Sequence, residues 1–111
     1  MTTAPAVRLM VFLTEDDRVG SRLVADVLLE RAARAGLAGA TVWQGVEGFG
    51  RGGHLRAERL VDLARGLPLV LEVVDDEQAV TAFVPVVGEL APGSLVTLEP
   101  VVASRPAGTG G

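Results

Sequence analysis

Val7 to Leu13 is a dense apolar run, short and sharply bounded, as a buried strand should be. Thr14-Glu15-Asp16-Asp17-Arg18-Val19-Gly20 breaks it with polar and turn-forming residues. From Ser21 the period changes: Val24, Leu28, Ala32 and Ala35 fall on one helical stripe, flanked by Leu23 and Val27. Ser21 stands where an N-cap is wanted, Glu30 and Arg34 form an i,i+4 pair, and Gly36 or Gly39 can end the helix. A second strand is expected over Ala40 to Val46, and a short helix over Ala57 to Ala64, where Leu60, Leu63 and Ala64 share a face. Leu67 to Val74 reads as a third strand, with Pro68 at its start, where no ladder donor is needed. Asp75-Asp76-Glu77 then offers cap and first-turn carboxylates to a second helix with Val80, Phe83 and Val87 inward. Pro85 is too deep for the first turn, so this helix is expected to kink or stop near Phe83 to Val84. Pro92-Gly93 turns the chain into a last strand, Ser94 to Val102. Residues 5–103 thus form one domain, and the Gly/Pro-rich stretch 104–111 reads as a flexible tail.

The order βαββαβ predicts an α+β, ferredoxin-like fold: a four-stranded antiparallel sheet with two helices on one face. Such a sheet should alternate apolar and polar residues, because its other face meets solvent. These strands do not alternate. Leu9, Val11 and Leu13 occupy one face of the first strand, yet Met10 and Phe12 occupy the other; Leu69, Leu71 and Val73 are likewise opposed by Val70 and Val74. The helix-free face needs a cover, and another subunit is the simplest one. The alternative, coverage by the 55–66 segment, would hide only part of it.

Composition narrows the partners. The formal charge is −4 and all ten basic residues are arginine, with no basic block to draw a nucleic acid. Phe12, Phe49, Phe83 and Trp43 are too few for a base-stacking surface, so no nucleic-acid partner is expected. The chain has no cysteine and a single histidine, His54, which removes thiolate and poly-histidine metal sites. No apolar run nears the roughly 18 to 20 residues of a membrane span, and Met1 to Pro5 carries no basic targeting region, so a cytoplasmic protein is expected.

The candidate chemistry gathers between Thr41 and Arg56. The strand there runs into a loop where Gly48, Gly50, Gly52 and Gly53 crowd together with Phe49, Arg51, His54 and Arg56. Clustered glycines imply backbone that must closely approach something, and exposed N–H groups beside a guanidinium suit a small anion. The plainer alternative is a hairpin connection whose glycines only supply positive φ. Glu15, Asp16 and Asp17 read as turn residues rather than an acid–base pair, and no serine has nucleophile-elbow surroundings, so no catalytic residue and no enzyme activity are expected.

Gly39-Ala40-Thr41-Val42, followed by Gly48-Phe49-Gly50-Arg51 and Gly53-His54, resembles the signature of PII signalling proteins, in which a Gly-x-Thr-Val strand leads into Gly-Phe-Gly-Arg-Gln-Lys-Gly-His at the base of a long loop. Leu67-Pro68, Glu72-Val73-Val74 and Asp75 are similar to the family's third strand. Leu13-Thr14-Glu15 with Asp17-Arg18 is closer to an uncharacterised PII-like branch, a family with a domain of unknown function. The resemblance implies a ferredoxin-like homotrimer that binds adenine nucleotides in clefts between subunits, needs no cofactor, and acts on a partner protein through the loop. It assigns Thr41, Gly48, Gly50 and Arg51 to the cleft, Val74 to the base, Gly93 to a second phosphate loop, and Arg105 to the phosphates.

The departures are chemical. Gly52 stands where the family has Gln-Lys, Ser94 where it has a phosphate-loop lysine, and Glu89-Leu90-Ala91-Pro92 where it is glycine-rich. There is no lysine or tyrosine anywhere. A charge-assisted hydrogen bond contributes about 1.5 to 3 kcal/mol, so each lost lysine lowers triphosphate affinity roughly ten- to a hundredfold. A less charged adenine nucleotide or another small anion fits better. The alternative is a ligand-free accessory or assembly protein for a membrane transporter, a partner the resemblance also implies because members of this branch are often encoded near small-ion exporters.

Overall fold

The computed structural model describes residues 2–49, 56–57 and 66–107. Along the chain run β1 (Thr2–Thr14), a small hairpin of β2 (Arg18–Val19) and β3 (Arg22–Leu23), α1 (Val24–Arg34), β4 (Ala40–Gln44), a second small hairpin of β5 (Glu47–Gly48) and β6 (Arg56–Ala57), β7 (Pro68–Asp75), α2 (Glu77–Leu90) and β8 (Leu95–Arg105). The main sheet has the order β4-β7-β1-β8 with every pair antiparallel. This is the ferredoxin-like arrangement expected from the sequence, with two hairpins added. Strand alternation sends Leu9, Val11, Leu71 and Val73 to the helix side, where all four are fully buried against Leu28 of α1 and Val80, Phe83 and Val87 of α2. Each such side chain contributes about 1.5 to 3 kcal/mol, which makes this layer the source of the fold's stability.

Local details depart from the sequence reading for identifiable reasons. Ser21 does not cap α1. Gly20, at φ 61°, turns the chain inside the β2–β3 hairpin, and the helix begins at Val24, whose N–H donates to the Asp17 carbonyl at 2.9 Å. Glu30 pairs with Arg22 of that hairpin, not with Arg34. Gly36 ends the helix in a Schellman motif: its N–H reaches the Ala33 carbonyl and the Leu37 N–H reaches that of Ala32, with φ 76° at the glycine. Asp76 is the N-cap of α2, accepting from the Ala79 N–H at 2.8 Å.

Pro85 does not stop α2, which continues to Leu90. Phe83 and Val87 flank the proline and are both buried, and their packing offsets the roughly 3 kcal/mol that an interior proline costs. Ala57, expected to open a helix, pairs as strand with Glu47, while residues 58–65 lie outside the described residues. β1 and β8 outrun the sequence reading at one end. Thr2 to Ala6 pairs only with Val101 to Arg105, a two-stranded ribbon beyond the reach of β7, so Ser104 and Arg105 are strand rather than tail.

Replacing Asp76 by Ala is expected to cost about 1 kcal/mol of unfolding free energy, and Ser21→Ala only a few tenths. Urea denaturation of the two variants checks this; equal losses would show that the start of α1 needs Ser21 after all.

Candidate functional site

The sequence-matched positions separate into two grooves. Thr41, Val74 and Arg105 line one of about 570 Å³, at the end of the sheet where the β1–β8 ribbon projects. Thr41 sits opposite Glu72 in the β4–β7 register and Arg105 opposite Thr2 in the β1–β8 register, so three strands deliver these side chains to one place. Gly48 and Gly93 line the other groove, of about 1020 Å³, with Phe12, Pro68 and Leu95. The first groove touches β1 at Pro5 and the second at Leu13; at about 3.3 Å per residue they lie roughly 26 Å apart. Gly50 and Arg51 fall outside the described residues. Each groove has the volume of a small-molecule site, and neither holds all the matched residues.

Acidic side chains line both grooves, and several are engaged in holding the backbone. In the first, the Asp75 carboxylate accepts from the Ala38 N–H at 2.8 Å and from the Asp76 N–H at 2.7 Å. Glu72 accepts from the Trp43 indole N–H at 3.1 Å and lies 3.9 Å from the Arg8 guanidinium. In the second, Asp17 accepts from the Thr14 N–H at 2.8 Å. Among the described residues Arg105 is the cation lining the first groove, which these carboxylates also line.

The turn bearing Gly93 satisfies itself. Pro92 sets φ at the first central position, Gly93 adopts φ 81° at the second, and the Ser94 N–H donates to the Ala91 carbonyl at 3.2 Å. The Ser94 hydroxyl donates to the same carbonyl at 2.8 Å. Its proton is therefore spent inside the turn, where a lysine would have extended a charge outward. Gly48 has a different reason for being glycine. A Cβ there would stand 3.1 Å from the Pro68 Cγ, and one at Gly45 would stand 3.2 Å from both Pro68 Cβ and Cγ, while neither residue adopts positive φ. The loop base is packed against the proline ring, and the Gly45 N–H donates to the Pro68 carbonyl at 2.8 Å.

Sequence reasoning missed Glu15. Its N–H donates to the Leu67 carbonyl at 3.0 Å, while its carboxylate accepts from the Leu67 N–H at 2.9 Å and from the Gln44 side chain at 3.3 Å. It joins the end of β4 to the start of β7. No local pattern marks such a contact, because Leu67 is far away in sequence. Among the described residues no group of three or more His, Cys, Asp or Glu is placed to hold a metal ion, and no helix is long and apolar enough to cross a membrane.

The model of the DUF190 family (uncharacterized ACR, COG1993) matches residues 6–103. A UPF0166 protein of Aquifex aeolicus (strain VF5) is 36% identical over 93 residues, covering 84% of this chain and 88% of that protein. Among solved structures, CPII of Thiomonas intermedia K12, a nitrogen regulatory PII-like protein bound to ADP, AMP and bicarbonate, aligns with a TM-score of 0.66 at 15% identity, over 96% of this chain and all of that one. The B. subtilis GlnK–ATP complex aligns with a TM-score of 0.56 at 9% identity, over 87% and 82%. At these identities the structural matches establish a shared PII-like fold.

The contact between Gly48 and Pro68 generates a test. Gly48→Ala is expected to destabilise the chain by about 1 to 3 kcal/mol through overpacking, and Pro68→Ala, which removes Cγ, should recover most of that loss. The same rescue should fail for Gly45→Ala, whose added carbon also meets Pro68 Cβ. Chemical denaturation of the double-mutant cycles reads the difference.

Proposed function

We propose that this chain, which belongs to the DUF190 family, is a PII-like sensor: a homotrimer that takes a small anionic ligand, an adenine nucleotide, in clefts between subunits and signals to a partner protein through its 46–55 loop. The observation carrying this reading is the separation of the matched residues. Thr41, Val74 and Arg105 stand at one end of the sheet, Gly48 and Gly93 at the other. A site that needs both halves is built when one protomer's first groove meets another's second. The open sheet face supplies the reason to associate. Phe12 is 40% exposed, Trp43 57% and Leu95 63%, all on the side away from the helices. The ADP, AMP and bicarbonate found in CPII support the ligand class.

The chemistry favours a mono- or diphosphate. Ser94 offers no charge, Arg105 is one cation, and the nearby carboxylates repel a triphosphate most. In this reading Val74 meets the base and the loop glycines offer N–H groups, so ligand is sensed and not turned over. The self-satisfied Ser94 turn also favours a second reading, in which the fold is kept without a ligand as an accessory or assembly protein for a membrane transporter.

Three measurements separate these. Light scattering should give the mass of a trimer for the natural chain, whereas a monodisperse mass near 11.5 kDa would remove the intersubunit cleft. Calorimetry with AMP, ADP and ATP should detect binding, with Arg105→Ala weakening it about ten- to a hundredfold. Met10→Asp, which lies on the open face and lines neither groove, should yield monomers that no longer bind. A trimer that binds no adenine nucleotide supports the accessory reading; monomers that bind with unchanged affinity would show that one protomer suffices.

A further inference from the structure

The open sheet face holds a charged centre amid its apolar residues. Arg8, in the middle of β1, is flanked across the strands by Glu72 of β7, at 3.9 Å, and by Glu99 of β8, with which it forms an ion pair. Register puts all three on the side of Met10 and Phe12, away from the helices. Arg8 Nε is buried without an acceptor among the described residues, so the guanidinium is partly desolvated within its own protomer. The centre also holds two carboxylates for one guanidinium.

We infer that Arg8, Glu72 and Glu99 form a register key, a polar centre that fixes how a second copy of this chain seats on the sheet. The inference rests on the proposed assembly and names the residues that give it one geometry. Met10, Phe12, Val70 and Leu95 can pack in many registers, because apolar contact is non-directional. A charged centre cannot. Seated against apolar surface, it loses water and gains nothing; seated against its own copy, the surplus carboxylate meets an arginine of the second copy. With Arg105 on the same side at the strand end, the sheet face balances two arginines against two glutamates among the described residues. That balance suits a second copy and gives no net attraction to a strongly charged partner.

The test must tell a key between copies from an ion pair within one. Arg8→Glu makes the centre all acidic, and Glu99→Arg makes it net basic. Each variant, checked for native circular dichroism, is expected to lose the single oligomeric mass of the natural chain in native mass spectrometry. An equimolar mixture is expected to regain oligomers containing both variants. If Arg8→Glu fails to fold, Arg8→Met replaces it, with a folded chain of mixed masses expected. Full assembly of either Arg8 variant as one uniform species overturns the key alone. Loss of assembly in both charge variants without recovery on mixing also overturns it, since the centre then acts only inside the protomer. A monomeric natural chain overturns the assembly itself.

Discussion

Two helices cover one face of a four-stranded sheet, and this chain makes both faces of its central strands apolar. The rest of the molecule follows from that mismatch. On the helix side, Leu9, Val11, Leu71 and Val73 exclude water completely, and the protomer's core closes there. One residue along each strand, Met10, Phe12 and Val70 remain at the surface. A side-chain period of two means that neither set can be exchanged for the other without turning the strand over. Among the described residues the fold therefore leaves an apolar sheet face outward.

The same strand order decides where a ligand could be held. β4, β7, β1 and β8 run alternately up and down, so the loops and strand ends collect at two edges. Thr41, Val74 and Arg105 reach one edge because β4 starts, β7 ends and β8 ends there. Gly48 and Gly93 reach the other because β4 has ended and β8 is about to begin. No rotamer change can bridge that distance within one chain. Any site that needs residues from both edges is thus set by the topology, as is the apolar face beside them.

The parts of this design legible in the sequence are those that repeat locally. The 3.6-residue stripe of Val24, Leu28 and Ala32, the Asp76 cap and the doubled apolar strands all declare themselves over a few residues. The two-sided pattern of β1 and β7 also shows in advance that apolar residues face away from the helices. What was hidden depends on residues distant in sequence. Ser21 looks like a cap because the hairpin that lends the Asp17 carbonyl to Val24 is only two residues per strand. Pro85 looks like a stop because the burial of Phe83 and Val87 cannot be weighed against it locally. Gly48 looks like a ligand-binding glycine, and its backbone does approach something closely, but that neighbour is Pro68. Motif resemblance picked out positions along the chain; it could not divide them between two ends of a sheet.

The clamped loop base links these levels. Glu15 ties the β7 start to β1 and β4, Pro68 fills the space that side chains at Gly45 and Gly48 would need, and β5 pairs with β6. Movement at Gly48 therefore has to displace a proline held by a strand, whereas Phe49, one residue on, is 78% exposed and touches no core. Anything seated in the groove beside Gly48 bears on this anchor first. The glycine that the sequence offers as a ligand contact is also the point at which the loop base is packed against the sheet.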